Sequence, residues 1–446
     1  MTATLHEISP VRSDDTLPQV VDVAVIGGGI VGATVALYLA RAGVNVAIFE
    51  KGLFGAEQSS RNWGWVRQMG RDPRELPLAM ASMREWAGLN ATTGEETGFR
   101  VKGITYFAAD DAVMAKYLGW LDAARPFGVD TRPITPDELA VIAPGLSRRY
   151  AGGLHTPSDG MAEPALATAA VVTGAQKLGV RAYAGCAVRG VETSAGRISA
   201  VVTEKGAVAC SDVVLAGGGW SSLFAGSLGL RLPQLKFQAN VMRSTPIGGG
   251  PEGCGSGPGF GYRKRLDGGY NVSMRSNHPV DIVPDSFRYL RQFWPAFRSE
   301  KKAMKLRFGK RSWEELMTPR RWRLDRPSPF EKHRIANPEP SHDILDKARE
   351  NIVALFPVLS GIHFVEKIGG FVDSTPDALP VISGVDSLPG LWISTGYSGH
   401  GFGVAPAAGR MLAEMIRGVT PFVDPKPFRY GRLVDGSPIA HWPIGF

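Results

Sequence analysis

The sequence predicts a mixed α/β fold, α+β overall, with a discontinuous doubly wound domain and a second domain built mainly on an antiparallel sheet. Three observations predict it. A glycine-rich turn joins two apolar, β-branched runs within residues 21–50. Further strand-like runs followed by glycine-rich loops occur at 212–218 and 391–403. The segments between them, roughly 103–154 and 236–364, instead carry alternating, aromatic-rich runs, which are typical of half-buried antiparallel strands.

The first of these runs has the order strand, turn, helix, strand. Residues 21–26 (VDVAVI) form a short apolar run, as expected for a strand buried on both faces. Residues 27–32 are the turn, and 33–42 are rich in strong helix formers and end before Gly43, a favourable helix C-terminal residue. Residues 45–50 supply the second strand. This is the first half of a doubly wound fold.

The turn carries a dinucleotide-binding pattern. Gly27, Gly29 and Gly32 occupy the three glycine positions of GxGxxG, which permit a sharp turn, close approach of a pyrophosphate and tight helix–strand packing. Glu50 ends the second strand, 18 residues after Gly32, where a carboxylate accepts hydrogen bonds from ribose hydroxyls. An acid at this position disfavours NADP, because it would repel the 2′-phosphate. The pattern alone does not separate NAD from FAD.

Later segments complete the predicted domain. A hairpin is expected at 187–208, a strand at 212–216 and a helix at 405–416. We assign 21–102, 155–235 and 365–420 to the cofactor-binding domain, and 103–154 and 236–364 to the substrate domain. Residues 1–20 are expected to be a flexible leader, and the proline-rich residues 421–446 a C-terminal tail without regular structure.

Composition excludes several classes of protein. Hydrophobic residues make up 44% and charged residues 21% of the 446, as in soluble globular proteins. The three cysteines, Cys186, Cys210 and Cys254, are scattered, which argues against a disulfide framework and a metal site and favours a reducing compartment. The start has no signal-peptide pattern, and the apolar run 21–40 is interrupted by three glycines and Asp22. We therefore expect a cytoplasmic protein without a membrane span.

Positive charge is concentrated in one segment. The net charge is +8, and residues 285–334 contain 15 Lys/Arg against 6 Asp/Glu. Such a segment is either a solvated face or a contact surface for an electron acceptor, an oligomer partner or an anion. A nucleic-acid-binding protein would leave the cofactor motif unexplained, so no nucleic-acid partner is expected.

Six motifs occur in one order along the chain: GGGIVGATVALYLARAGVNVAIFEK, SSRNWG, DGMAEP, VVLAGGGWSS, STPDALPVIS and GYSGHGFGVAP. In this order they resemble the D-amino-acid oxidase superfamily of flavoenzymes, which includes glycine oxidase and sarcosine oxidase. The resemblance extends from residue 21 to about residue 417. It implies FAD as the cofactor, bound by a Rossmann-like domain.

The resemblance also implies which residues contact FAD. A loop beside the flavin and pyrophosphate, the ADP half of the site, and a glycine-rich loop at the flavin N1/O2 edge supply them. The residues so assigned are Gly27, Gly29, Gly32, Glu50, Lys51, Ser59, Ser60, Arg61, Asn62, Val188, Ala216, Gly217, Trp220, Gly370, Gly399, His400, Gly401 and Phe402. Some members attach FAD through a cysteine shortly before the TPD motif. Here GGFVDSTPD has none, so non-covalent FAD is expected.

The substrate side departs from the family pattern. Glycine and D-amino-acid oxidases usually carry a carboxylate-binding arginine five residues before the motif's aspartate, but here that position is Val372. The hairpin around Asp267 and Gly268 and the flavin loop offer replacements. The candidate substrate residues are Tyr262, Arg263, Arg265, Tyr270, Arg275, Arg67 and His400, with catalytic roles for Arg263 and His400. A solvent-facing basic hairpin remains the alternative for these arginines, and Trp63 and Trp65 either wall the pocket or pack in the core.

The resemblance implies an oxidase of a small anionic amine, such as an amino acid or a secondary amine. Hydride passes from the carbon next to nitrogen to flavin N5, the imine is hydrolysed, and O2 reoxidises the flavin to give H2O2. The SSRNWGWVR run and Val372 suggest a branch similar to iminodiacetate oxidase. The alternatives are a dehydrogenase that passes electrons to a quinone or protein through 285–334, and a flavin monooxygenase, which lacks support because no second GxGxxG set between a strand and a helix is evident.

Overall fold

One of the two large sheets of the fold has six strands. The computed structural model describes residues 7–275, 278–301, 304–440 and 442. In this sheet the strands follow the order Val381–Gly384, Leu391–Thr395, Asp212–Leu215, Val23–Ile26, Val46–Phe49 and Arg181–Tyr183. Five of them are parallel, and Val381–Gly384 pairs antiparallel at one edge. The neighbouring strands Val23–Ile26 and Val46–Phe49 are buried on both faces, as their unbroken apolar runs predict.

Each face of this sheet is covered. Four helices, Ile30–Arg41, Leu76–Thr93, Pro164–Lys177 and Gly401–Ile416, pack together on one face around a common apolar core. A three-stranded antiparallel sheet, Val188–Ser194, Arg197–Thr203 and Gly206–Ala209, contributes to the core on the other face. The segment 187–208, predicted as a hairpin, thus contains nearly the whole of this sheet, which has a third strand.

Both cofactor-facing helices begin earlier than the sequence predicts. The first begins at Ile30 instead of 33, because Gly29 has extended backbone and the remaining residues of the glycine motif already form the first turn. A Cβ on Gly32 would lie 2.1 Å from the Gly27 carbonyl oxygen, so glycine is required for this close packing. The last helix begins at Gly401 instead of 405, and the glycine-rich loop supplies its first turn.

The other large sheet of the fold has eight strands. Its order is Phe364–Ser374, Leu235–Ser244, Tyr270–Ser273, Phe260–Lys264, Cys254–Gly257, Ile104–Ala108, Gly152–Thr156 and Arg132–Ile134. All neighbours are antiparallel except Cys254–Gly257 and Ile104–Ala108. The mixed α/β fold with a mainly antiparallel second sheet is therefore confirmed. Residues 364–374, grouped by sequence with the cofactor domain, pair in this second sheet.

The remaining elements are short or peripheral. Small sheets are formed by Trp65–Val66, Gly160–Met161 and Arg100–Val101, and by His278–Asp281 and Met304–Arg307. The other helices are Asp111–Ala124, Pro136–Ile142, Ser221–Ser227, Pro284–Arg288, Leu290–Glu300, Lys310–Met317, Pro329–Lys332 and His342–Leu355. The 3-10 turns are Arg125–Phe127, Gly218–Trp220, Pro357–Leu359, Lys426–Phe428 and Tyr430–Leu433. None of the described helices has the length and apolar content that crossing a bilayer requires.

The two ends of the described chain pack onto the cofactor domain. Asp14, within the predicted leader, exchanges backbone and side-chain hydrogen bonds with Ala182 at the edge of the six-stranded sheet. In the tail, Arg432 donates to both carboxylate oxygens of Asp377, with the shorter contact at 2.8 Å. The tail's two 3-10 turns replace the irregular chain that the sequence analysis expected.

Candidate active site

A cavity of about 1110 Å³ runs between the two sheets. One end is lined by the glycine turn at Gly27 and by Glu50, and the other by Arg275 and His400. The carboxyl ends of the parallel strands therefore open onto it, as they do in ligand sites of doubly wound folds. Its length connects the predicted nucleotide residues with the predicted flavin and substrate residues.

The glycine turn leaves room for a phosphate. Gly27 has a φ of 109°, and a Cβ there would lie 2.4 Å from the Ala216 carbonyl oxygen. Gly29 makes no side-chain cap at the start of its helix, while the Ile30 N–H donates to Ser59 Oγ at 2.9 Å. Ser59 Oγ therefore occupies one amide of the helix N-terminus, and the backbone of the glycine turn itself meets the cavity. This geometry suits a pyrophosphate.

Glu50 lies where the ribose would be bound. It accepts hydrogen bonds from the Gly28 and Gly52 N–H groups at 2.8 and 2.7 Å, which fixes the carboxylate toward the cavity. Burial raises the pKa of Glu50, opposed by Lys51 and these two amides. Lys51 itself pairs with Glu57 at 2.5 Å and lies 4.6 Å from the centroid of the Trp220 ring.

Most of the predicted FAD residues line the cavity. Those that line it are Gly27, Gly29, Glu50, Lys51, Ser59, Arg61, Asn62, Val188, Ala216, Gly217, Trp220, Gly399, His400, Gly401 and Phe402. Gly32, Ser60 and Gly370 lie behind its wall: Ser60 Oγ donates to the Gly55 carbonyl at 2.6 Å, and Gly370 packs against Arg61. Buried Arg61 Nη2 has no hydrogen-bond partner in the described part of the chain. The fit to FAD rests instead on the glycine turn, where a Cβ on Gly27 or Gly32 would clash with backbone and where the turn meets the cavity next to Glu50.

The glycine-rich loop at the other end adds a second helix N-terminus. Ser398 and Gly399 both have positive φ, which turns the chain into the helix Gly401–Ile416. His400 is the residue before this helix, and its side chain does not cap it. The open N-terminus lines the cavity and favours negative charge at the flavin edge.

Two arginines flank a tyrosine at the substrate end of the cavity. The Arg67 and Arg275 guanidinium carbons lie 5.8 and 4.9 Å from the centroid of the Tyr106 ring. Arg67 donates to the Met69 carbonyl, and Arg275 to Ser256 Oγ at 3.4 Å. Within the described residues, neither forms an ion pair with a carboxylate. Burial lowers the pKa of Arg275, and the positive charge of Arg67 lowers it further.

The cavity wall near these arginines is aromatic. Trp63 and Trp65 pack edge to face at a centroid distance of 4.8 Å, and both line the cavity. The Trp65 indole N–H is buried and has no partner among the residues described. The two tryptophans therefore wall the pocket, one of the two alternatives left open by the sequence.

The basic hairpin does not contribute to the cavity as predicted. Its strands form, but Tyr262, Arg263, Arg265 and Tyr270 are not among the residues that line the cavity in the described chain. Tyr262 and Tyr270 pack in the core beneath the helix His342–Leu355. Arg265 pairs with Asp267 at 2.6 Å.

Arg263 forms an ion pair with a residue that lies far from it in the sequence. It forms two hydrogen bonds with Glu163, at 2.8 and 2.9 Å, and its side chain is 1% exposed. Glu163 belongs to the DGMAEP segment, 100 residues earlier in the chain. This buried pair neutralises Arg263 and positions it behind Gly64.

The sequence analysis missed several residues of the substrate end. Arg71, Tyr106 and Lys116 line the cavity, and Glu75 lies behind Arg71 and His400. Arg71 and Glu75 lie in the RDPRE run, which is separated by three residues from the end of the SSRNWGWVR signature. Continuing the signature through this charged run would have identified them, whereas Tyr106 and Lys116 lie in segments without a motif.

Comparison with known proteins finds FAD dependent oxidoreductases similar to most of this chain. Residues 22–415 match the family model described as DAO, FAD dependent oxidoreductase. 4-Methylaminobutanoate oxidase (formaldehyde-forming) from Paenarthrobacter nicotinovorans is 26% identical over 92% of this chain, which spans 45% of that protein's length. Glycine oxidase from Pseudomonas putida is 24% identical over 92% of this chain and 99% of its own length.

Solved structures are similar over nearly the whole chain. L-Amino acid deaminase from Proteus myxofaciens, in complex with anthranilate, has a TM-score of 0.91 and 34% identity, covering 95% of this chain and 97% of its own. Iminodiacetate oxidase from Chelativorans has a TM-score of 0.69 and 18% identity, covering 91% of this chain and 98% of its own. The second likeness concerns the fold alone.

Proposed function

The chain belongs to the DAO family of FAD dependent oxidoreductases, and from this premise we propose that it oxidises a small anionic amine held by Arg275 and Arg67. The family and the cofactor that the six motifs predict are confirmed by this match. One observation carries the proposal: the guanidinium carbons of Arg67 and Arg275 lie 5.8 and 4.9 Å from the Tyr106 ring centroid, and neither arginine has a carboxylate partner within the described chain. Two partly buried charges of the same sign, without a neutralising carboxylate, favour a bound anion.

The proposed roles follow from the wall of the cavity. Arg275 and Arg67 bind the substrate carboxylate, and Trp63 and Trp65 exclude water around the carbon–nitrogen bond. FAD, when bound, accepts the hydride from the carbon next to the nitrogen. The N-terminus of Gly401–Ile416, which lines the cavity, would stabilise negative charge on a flavin held beside it.

His400, which also lines the cavity, offers the substrate an uncharged side chain. Burial lowers the pKa of His400 to about 4, and Arg71 contributes to the lowering while Glu75 opposes it. Its imidazole is therefore uncharged near neutral pH. It offers a hydrogen-bond acceptor for an amine N–H without adding a positive charge to the site.

Two relatives support the substrate class. The Proteus myxofaciens deaminase binds anthranilate, an aromatic amine with a carboxylate, and the Pseudomonas putida protein is a glycine oxidase. Both ligands combine an amino group with a carboxylate. We extend the class to amino acids and to secondary amines such as iminodiacetate, whose second carboxylate would engage the second arginine.

The electron acceptor is proposed to be O2, with H2O2 as the product. The alternative is a dehydrogenase that delivers electrons to a quinone or a protein. One observation favours this second candidate: the segment 284–317 exposes large apolar side chains, including Phe287, Trp294, Phe308 and Trp313, within the basic region. A surface of this composition suits contact with a partner.

The experiment that tests the proposal follows the flavin absorption of the purified holoenzyme without oxygen. A panel of glycine, sarcosine, iminodiacetate, L- and D-amino acids and carboxylate-free amines is added. We expect bleaching only by amines that carry a carboxylate. Bleaching by carboxylate-free amines alone would overturn the proposal. Peroxide formed under air in a 1:1 ratio with substrate distinguishes the oxidase from the dehydrogenase.

A further inference from the structure

Two helices of the cofactor domain have their N-terminal ends next to each other. Glu75 is the residue before the helix Leu76–Thr93, and His400 is the residue before the helix Gly401–Ile416. The helices pack against each other, and His400 Nδ1 lies 2.9 Å from Glu75 Oε2. Neither side chain caps its own helix, so each is free to bond to the other.

The contact is completely buried beside the cavity. The Glu75 side chain is 0% exposed and that of His400 is 6% exposed, yet His400 lines the cavity and Glu75 does not. Arg71, one turn before Glu75, approaches the same carboxylate oxygen at 3.9 Å. The carboxylate therefore has a cation on one side and the imidazole on the other. Both partners also lie on the wall that faces the proposed substrate.

The chemistry of the contact fixes the imidazole tautomer. Burial raises the pKa of Glu75, but the positive charge of Arg71 and the hydrogen bond from His400 outweigh it, so the pKa lies below its usual value and the carboxylate is ionised at neutral pH. An ionised carboxylate only accepts hydrogen bonds, so the proton of the contact belongs to His400 Nδ1. In a neutral imidazole, Nε2 is then the unprotonated nitrogen.

We propose that Glu75 is a positioning residue that holds His400 as the Nδ1–H tautomer, so that Nε2 remains a hydrogen-bond acceptor for the amine of the substrate. Arg71 supports this arrangement by keeping the carboxylate in place. The arrangement repeats the carboxylate–imidazole logic of other enzymes, in which a buried acid selects tautomer and orientation without itself reacting. The substrate role of His400 rests on the proposed function, whereas the tautomer does not.

The charged groups around His400 explain why the tautomer, and not a change of charge, is the controlled property. Arg71 and Arg67 oppose protonation of His400, and burial opposes it most strongly. Removing the Glu75 carboxylate takes away the one group that favours the imidazolium. His400 then stays neutral in a Glu75 variant, and only the position of its proton is released.

The test measures the tautomer directly in the holoenzyme. The imidazole nitrogens of 15N-histidine-labelled protein are recorded between pH 5 and 9, and His400 is assigned by its loss in His400→Gln. In the unaltered protein we expect a protonated Nδ1 and an unprotonated Nε2 over this whole range. In Glu75→Leu we expect both tautomers to be populated. In Glu75→Gln, which keeps an oxygen acceptor, we expect the Nδ1–H form to persist.

A matched control exists on the same helix pair. Glu85 accepts a hydrogen bond from Arg410 Nη1 at 2.8 Å, and these residues lie ten positions further along the same two helices, away from the cavity. Glu85→Leu removes a comparable link between the helices and should leave the His400 signals unchanged. If it changes them as much as Glu75→Leu does, the effect is structural and the proposal fails.

The kinetic readout uses an amine found to bleach the flavin. We expect the rate of anaerobic flavin reduction to fall by about tenfold or more in Glu75→Leu and to recover largely in Glu75→Gln. An Nε2–H tautomer in the unaltered protein, or an unchanged tautomer in Glu75→Leu, overturns the proposal. If the tautomer behaves as expected but no carboxylate-bearing amine bleaches the flavin, the proposed function fails while the positioning role of Glu75 stands.

Discussion

Replacing Arg275 by methionine should weaken binding of a carboxylate and at the same time stabilise the protein without ligand. Arg275 is partly buried, has Ser256 Oγ as a distant hydrogen-bond partner at 3.4 Å, and lies close enough to Arg67 for their charges to repel. Methionine has a similar length and no charge. Its thioether packs well against the Tyr106 ring, which the guanidinium now covers.

The two effects have opposite signs because they concern different states. Removing one partner of a buried, hydrogen-bonded charge pair costs about 2–3 kcal/mol of binding free energy, which corresponds to a roughly 30- to 160-fold rise in Kd. Without ligand, a partly buried cation that lacks an ionic partner among the described residues is lost, and this stabilises the fold by at most about 1 kcal/mol after the cation–π contact with Tyr106 is subtracted. Arg275→Met should thus weaken carboxylate binding while it raises the free energy of unfolding of the ligand-free protein.

The assay uses benzoate, a carboxylate that cannot be oxidised at a carbon–nitrogen bond. Its Kd is measured from the change in flavin absorption, and the free energy of unfolding of the ligand-free holoenzyme is measured in urea. Arg149→Met, at an exposed surface pair with Asp137, is the control and should change neither quantity. A Kd for benzoate within twofold of the original, or a loss of more than about 2 kcal/mol of stability, would refute the assignment of Arg275.

Three further outcomes follow from the same structure. Acid precipitation of the holoenzyme should leave FAD in a yellow supernatant, because none of the residues that line the cavity in the described chain is a cysteine; a coloured pellet contradicts this. Arg263→Met should lower the unfolding free energy in urea by about 3–5 kcal/mol, because Glu163 is left buried and unpaired, whereas the double change with Glu163→Leu should recover most of it. The pKa of His400 is about 4 in the fold and near its usual value in the unfolded chain, so the unfolded chain binds the additional proton between these values and stability is lost as pH falls through this window. His400→Gln should therefore lose less stability than the unaltered protein between pH 6.5 and pH 4.5 in parallel urea titrations, and an equal loss would contradict the assigned protonation state.

The cofactor half could be predicted well because its signals are local. A strand, a tight glycine turn and a helix are adjacent in sequence, and the pyrophosphate site is formed by the backbone of that same segment. The sequence therefore located Gly27, Gly29 and Glu50 on the cavity. It placed the helix starts late because glycine is a poor helix former in general, whereas here the glycines at 32 and 403 permit contacts that a Cβ would obstruct.

The substrate half could not be predicted in the same way, because its charges are neutralised by residues far away in sequence. Strand alternation correctly gives Arg263 and its neighbours two faces, but it does not say which face meets a cavity. Arg263 is not available to a ligand, because its buried bidentate pair with Glu163 neutralises its positive charge. Arg275, just beyond the same hairpin, has no such partner among the described residues and lines the cavity. What distinguishes a binding arginine from a structural one is thus the absence of a neutralising carboxylate, and only the fold shows which arginines lack one.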